Sequence, residues 1–340
     1  MAAPPRPLAK PVRFAVIGAT SWGCTLASLL ELNGHAVVLI CRTPEESAAV
    51  DSRRGLERMP GLRLGAGVTT AAPGSADSFD GTVVAVPAQA VRATLQGLGG
   101  LDTGPVISAS KGIEQGTLSR VTEVIATALV VPPPGVSALS GPTLAHEVAK
   151  GLPGAAVVAS SAEGQAGWWQ DALARPTLRL YRSDDLVGVE LAGALKNVVA
   201  IAAGATWALG FGANAVAALM TRGLAEITRL GIAMGADALT FQGLAGVGDL
   251  AATCFSDLSR NRRLGELLAT GHPFSEASRL LGEVAEGAAT APAALELASR
   301  HGVELPIAEQ VARVVAGQTS VPEAMGALLG RSLKAEHGGA

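Results

Sequence analysis

Lysine is scarce in this chain. Five lysines stand against 21 arginines in 340 residues. A generic surface cation is therefore usually written as arginine, and each lysine carries more information than usual. The five are Lys10, Lys111, Lys150, Lys196 and Lys334. Lys196 ends the run Val189-Glu190-Leu191-Ala192-Gly193-Ala194-Leu195-Lys196-Asn197, and no formal charge follows it until Arg222. Such a run predicts burial. Burial removes the hydration that favours an ammonium and draws its pKa toward neutrality, where lysine works as a general acid or base. The plainer alternative is a lysine snorkelling from a helix end. Asp249, in the glycine-flanked turn Gly246-Val247-Gly248-Asp249, is a carboxylate suited to pair with and orient that ammonium, and Thr253 follows one helical turn later.

Three further segments carry polar chemistry. Lys111 lies in Ser108-Ala109-Ser110-Lys111-Gly112-Ile113-Glu114, at the carboxyl end of an apolar run, where ligands of open sheets bind. Ser140-Gly141-Pro142-Thr143 joins a strand to a helix starting near Thr143, and the amides of such a start favour an anion. Ser259-Arg260-Asn261-Arg262-Arg263 supplies a cluster of donors matched to phosphate. Its alternative is a solvated helix start with Ser259 as the N-cap.

These groups need a scaffold, and the first half of the chain supplies one. Val12–Ile17, Ala36–Ile40, Thr82–Val86, Pro105–Ser108 and Val136–Leu139 read as short buried strands alternating with helices. That pattern predicts a parallel sheet covered on both faces. Gly18-Ala19-Thr20-Ser21-Trp22-Gly23 follows the first strand and opens a helix, as a dinucleotide-binding loop does, with Thr20 at the middle position where glycine is usual. Arg42 ends the second strand 24 residues after Gly18. An acidic residue there would read the ribose of NAD, whereas arginine suits the 2′-phosphate of NADP. Beyond about Asp185 the β signal ends and helical patterning runs on. The expectation is an α/β protein: an N-terminal Rossmann-like, doubly wound sheet over residues 1–188, then an all-helical C-terminal domain over 189–340.

Composition narrows the function classes. Hydrophobic residues make up 49% and the net charge is −3, which excludes intrinsic disorder. A pI near 6.0 leaves no basic footprint for nucleic acid. Cys24, Cys41 and Cys254 form no C-x-x-C pair and the five histidines are dispersed, so no metal site is expected and the thiols suit a reducing compartment. Met1–Pro11 has no apolar core of a signal peptide. Val198–Met220 is 23 residues without charge, yet it is rich in Ala and Gly and reads as a buried helix followed by a turn, so no transmembrane segment is expected.

With these motifs in order, the chain from Val16 to about Arg331 resembles the bacterial NAD(P)-dependent sn-glycerol-3-phosphate dehydrogenases. The segments that carry the resemblance include SKGIE (110–114), SGPT (140–143), GALKN (193–197), TRGLAEITRLG (221–231), GVGDLAATC (246–254), SRNRR (259–263) and VAEG (284–287). The resemblance implies reduction of dihydroxyacetone phosphate to sn-glycerol 3-phosphate for phospholipid synthesis, in a cytoplasmic homodimer. It implies proton transfer by Lys196, with Asp249 and Lys111 beside it. Substrate contacts are implied for Lys111, Gly141, Thr143, Lys196, Asn197, Asp249, Thr253, Ser259, Arg260 and Asn261. Cofactor contacts are implied for Ser21, Trp22, Arg42, Lys111, Ala145, Arg260, Val284 and Glu286; the loop motif adds Gly18 and Gly23, and Arg42 itself sets the expectation that NADP(H) is preferred over NAD(H). The chain departs from the family at Thr20, at Trp207-Ala208 where Asp-Gly is common, and over Asp51–Leu62, which lacks the usual Asn and aromatic. A different two-domain dehydrogenase, of the hydroxy-acid or opine type, would lack SRNRR. A dinucleotide-binding regulator without catalysis would have no use for an intact Lys196 and Asp249.

Overall fold

A computed structural model describes residues 11–74, 78–130 and 132–332. Lys10, Lys334 and all of Met1–Pro11 except Pro11 lie outside the described residues. The first part of the chain runs β1 (Arg13–Ile17), α1 (Ser21–Leu32), β2 (Ala36–Ile40), α2 (Pro44–Arg53), β3 (Val68–Ala71) and β4 (Gly81–Val84). It continues through α3 (Val91–Gln96), β5 (Val106–Ser108), α4 (Val121–Ala128), β6 (Val136–Ser140), α5 (Ala145–Ala149), β7 (Gly154–Ser160), α6 (Gln165–Leu173) and β8 (Leu178–Ser183). Helices follow: α7 (Leu186–Ala208), α8 (Gly212–Ala233), α9 (Ala238–Gln242), α10 (Asp249–Phe255) and α11 (Arg260–Ala269), then α12 (Phe274–Leu281), α13 (Glu286–Arg300), α14 (Pro306–Val315) and α15 (Val321–Leu329).

The eight strands form one sheet in the order β3-β2-β1-β4-β5-β6-β7-β8. β1 pairs in parallel with both β2 and β4, so the chain reverses its direction of travel across the sheet at β1 and leaves a crevice at the carboxyl ends there. Residues of β1, β2, β4 and β5 are buried almost throughout, as expected for strands covered on both faces. The expectation of a wholly parallel sheet is corrected at one seam: β7 runs antiparallel to β6, and β8 follows β7 in parallel. Three strands, β3, β7 and β8, were not signalled by the sequence. β3 is four residues at an edge, β7 is rich in Gly and Ala, and β8 alternates buried and exposed residues as an edge strand does.

α7 is the axis of the helical part. It is long and apolar enough to cross a membrane, but 78% of its most apolar stretch is buried by the rest of the chain. Asp185 caps its start, accepting the Gly188 N–H at 2.8 Å, and its other oxygen accepts the Thr240 hydroxyl at 2.6 Å. α11 lies against α7 at Gly204, where any Cβ would overlap the carbonyl of Arg262. That close approach brings the first turn of α11 to the sheet edge.

A second constraint fixes the far side of this part. Leu305 gives α14 no side-chain cap, and Glu226 of α8 takes that role by accepting the Ile307 N–H at 2.9 and 3.2 Å. Burial pushes the Glu226 carboxyl up to about 7, against the backbone hydrogen bonds and arginines that pull it down. A raised folded-state pKa stabilises fully below the unfolded value and is lost as pH rises through the folded value. Glu226→Gln should therefore gain stability relative to the parent between about pH 4.5 and 7, by up to about 3 kcal/mol at about 1.4 kcal/mol per pK unit. Urea unfolding of both proteins at pH 5 and 8 measures this, and a difference that does not change with pH would refute it.

Candidate active site

A cleft of about 1080 Å³ opens where the carboxyl ends of the sheet face the helices. Thr20, Ser21 and Trp22 of the β1–α1 connection, Ala85–Pro87 after β4, and Ala109–Lys111 after β5 form its sheet side. Thr143–His146 at the start of α5 continue that wall. Lys196 and Asn197 of α7, Thr253 of α10, Leu258–Asn261 and Glu286 close it from the helical side.

The tight turn out of β1 depends on Gly18, which has φ +110° and whose Cβ would lie 2.6 Å from Val86 Cγ1. Gly23 packs directly on the Gly18 carbonyl. Both glycines shape the turn without lining the cleft. Thr20, the departure at the middle of the loop, faces the protein: its hydroxyl donates to the Ala85 carbonyl at 2.7 Å and accepts the Gly23 N–H at 3.0 Å, capping α1. The first turn of a 12-residue helix thus stands on the cleft wall.

At the inner end three charges meet. Lys196 donates to Asp249 Oδ1 and, at 2.7 Å, to Thr253 Oγ1. Lys111 donates to Asp249 Oδ2 at 2.6 Å, and the Ser140 hydroxyl reaches the same oxygen at 3.3 Å. Asp249 is only 2% exposed and Lys196 7%, so solvent screens this cluster weakly. Burial lowers the Lys196 ammonium to about 8; Asp249 opposes that shift and Lys111 adds to it. For Asp249 burial acts upward, but the two ammoniums overcome it and hold the carboxyl below its ordinary range. The residue opens α10 after a π-turn over Leu244–Gly248, a correction to its expected place inside a glycine turn. Gly193 admits the arrangement, because a Cβ there would sit 2.6 Å from Ser140 Oγ and 3.6 Å from Lys111 Cδ.

Asn197 and Asn261 join α7 to α11. Asn261 donates to Asn197 Oδ1 at 2.9 Å and accepts the Gly287 N–H at 2.9 Å. Arg260 lies on the open wall beside them, and Ser259 is the N-cap, accepting the Arg262 N–H at 3.2 Å. Arg262 and Arg263 are corrections to the expected five-residue donor cluster. Arg262 is held by Asp257 at 2.8 Å and Glu266 at 2.9 Å and lies over Trp207, while Arg263 is exposed away from the cleft. Trp207, another departure, packs edge-on against Phe255 at 6.0 Å and forms no part of the cleft wall.

Thr143, Ala145, Ser21, Trp22 and Glu286 are brought to the cleft, and Glu286 also accepts the Ala88 N–H at 3.1 Å. Gly141 shapes the turn after β6, Val284 is exposed next to the rim, and Arg42 stands outside the wall with its side chain 84% exposed. Sequence reasoning missed Ser110, Leu144, His146, Leu258 and Glu283 on the wall. It also missed Arg58, which donates to the Ala19 carbonyl at 2.7 Å. Arg58 lies within Asp51–Leu62, so the departure from family pattern was the available signal.

The residues fit a nicotinamide dinucleotide. The glycine turn presents amides and the Ser21 hydroxyl at the sheet edge, and Glu286 Oε2 is buried on the cleft wall with no partner. Burial pushes the Glu286 carboxyl up to about 7. A Rossmann-like sheet, a switch-point crevice and a buried lysine opposite define a two-part dinucleotide-dependent dehydrogenase.

Comparison with known proteins specifies the family. The NAD-dependent glycerol-3-phosphate dehydrogenase N-terminus matches residues 13–166, and the C-terminus of the same family matches residues 185–326. This chain belongs to the NAD-dependent glycerol-3-phosphate dehydrogenase family. A glycerol-3-phosphate dehydrogenase [NAD(P)+] of Anaeromyxobacter dehalogenans is 46% identical, over 96% of this chain and all of the relative. One from Corynebacterium glutamicum is 43% identical over the same shares. The crystal structure of glycerol-3-phosphate dehydrogenase from Coxiella burnetii superposes with a TM-score of 0.87 at 33% identity, covering 94% of this chain and 99% of that one. A D-mandelate dehydrogenase shares the fold alone, at 15% identity and a TM-score of 0.59.

Proposed function

We propose that this chain reduces dihydroxyacetone phosphate reversibly to sn-glycerol 3-phosphate with NADPH or NADH, for glycerophospholipid synthesis. The observation that carries the chemistry is the buried Lys111–Asp249–Lys196 cluster at the inner end of the cleft. Residues 1–188 hold the cofactor and 189–340 the substrate. A cytoplasmic homodimer belongs to this reading on the strength of the family resemblance alone.

A dinucleotide held at the Gly18 turn and Ser21 would supply the hydride that reduces the ketone carbon. Lys196, as ammonium, then gives its proton to the oxygen that becomes negative, and its pKa near 8 leaves most of it protonated at neutral pH. Two ammoniums around one carboxylate leave a net positive charge next to that oxygen, where low polarity strengthens it. Asp249 and Thr253 fix the direction of the Lys196 N–H bonds. Arg260, Ser259 and Asn261 hold the substrate phosphate, so binding energy remote from the reacting carbon sets its orientation. An unphosphorylated hydroxy acid would leave this corner without a partner, which sets the hydroxy-acid and opine readings aside.

Four measurements test this reading. Lys196→Ala should lower kcat about 10²–10⁴-fold with substrate still bound, and a folded variant keeping a tenth of parental kcat would rule out the proton-transfer role. In the parent, ketone reduction should fall as pH rises through about 8 while alcohol oxidation rises, since the first needs the ammonium and the second the amine. Arg260→Ala should raise KM for dihydroxyacetone phosphate by about tenfold or more, the scale of a charge-assisted hydrogen bond. If turnover of an unphosphorylated ketone falls equally, Arg260 is no phosphate anchor. Arg42 bears on cofactor choice. It is largely exposed and stands 4.0 Å from Glu46, so its preference for NADPH should be no more than about tenfold. Arg42→Asp should reverse the ratio of kcat/KM for NADPH and NADH, and an unchanged ratio would place cofactor choice elsewhere.

A further inference from the structure

The rim of the cleft holds a carboxylate where an anionic ligand should sit. Glu283 Oε1 accepts the Ser21 hydroxyl at 3.3 Å, forms an ion pair with Arg58 Nε at 3.1 Å, and lies 3.9 Å from Arg260 Nη1. Two of these donors come from the sheet side and one from the helical side. Arg58 is pinned over the turn that opens α1: besides its bond to the Ala19 carbonyl, its Nε also donates to Ser21 Oγ at 3.1 Å. Glu283 therefore holds Arg58 by an ion pair, while the Arg58 Nε–H itself bonds to Ser21. Both partners are part-exposed, at 41% and 28% of their side chains. Such a pair is weak and breaks at little cost.

We propose that Glu283 is a displaceable occupant of the cofactor's pyrophosphate position, and that Arg58 becomes a pyrophosphate contact when the carboxylate leaves. The inference rests on the dehydrogenase reading above. A phosphate and a carboxylate cannot both occupy the donors of Ser21 and Arg58, because like charges at contact distance repel. The placement of Arg58 on the loop of Ala19 and Ser21 favours the pyrophosphate over the ribose phosphate.

The test is cofactor binding by fluorescence titration, without substrate, using NADPH and NADH in parallel. Glu283→Gln should tighten both cofactors by about two- to fivefold, the scale of a part-exposed ion pair. Arg58→Ala should weaken both by about tenfold. In the Arg58→Ala background the gain from Glu283→Gln should shrink, because no arginine is left to release. An equal gain in both backgrounds would mean simple repulsion by Glu283 and overturn the exchange. So would unchanged or weaker binding by Glu283→Gln in the parent. Effects confined to NADPH would move the displaced group to the 2′-phosphate and overturn the pyrophosphate assignment. A parent that binds both cofactors but turns over no dihydroxyacetone phosphate would refute the substrate reading and leave this exchange standing. A parent that binds neither would overturn both.

Discussion

One carboxylate shared by two ammoniums sets the terms for the rest of the structure. Asp249 is almost wholly buried, and so is Lys196; either charge alone would be costly there. A lone buried lysine would lose its proton, and a strongly paired one would hold it too tightly to give up. Lys111 adjusts the balance: it competes for Asp249 and adds like charge, while Asp249 opposes the loss of the Lys196 proton. The value near 8 results from burial, which lowers it most, set against the pull of Asp249, with Lys111 adding to the fall. Removing Lys111 would leave Asp249 to Lys196 alone and raise the ammonium's grip on its proton.

Three different parts of the chain must converge for this balance to exist. Lys111 comes from the loop after β5, Lys196 from the middle of α7, and Asp249 is the first residue of α10. Interior α7 is fixed by packing and capping, and the missing side chain at Gly193 lets the sheet edge approach it closely. The Asn197–Asn261 bond then ties helix α11 to the residue next to Lys196. The first turn of α11 and the Lys196 ammonium are therefore held at a fixed separation by direct contacts between two packed helices.

Much of this was legible in the sequence because it depends on local contrast. A lysine inside an uncharged run announces its burial, and a strand followed by Gly-x-x-x-x-Gly announces the turn at Gly18. Ser259 was legible as a cap because capping is decided within four residues. The pairing of Lys196 with Asp249 was read from their residue types, but the other contacts between distant residues were not legible. Nothing local shows that Lys111 shares Asp249, 138 residues away. Arg262 was read with Arg260 as a phosphate donor, but two positions along a helix turn a side chain by about 200°, and Arg262 is taken by Asp257, Glu266 and Trp207. The β7 and β8 strands escaped because Gly, Ala and alternating edge residues carry little strand signal.

The distribution of burial along the cleft has a mechanical consequence. The inner cluster is screened from water and tied on every side, so its geometry changes only if α7 or α10 moves. The rim is different: Arg58, Arg260 and Glu283 are part-exposed and joined by ion pairs at 3.1 and 3.9 Å. Exposed pairs exchange partners at small cost, whereas breaking a buried pair leaves an uncompensated charge. A ligand entering the cleft should therefore rearrange the rim and leave the Lys111–Asp249–Lys196 cluster in place. The chain thus fixes Lys196 by buried contacts that are costly to break, and closes the rim with contacts that are easily remade.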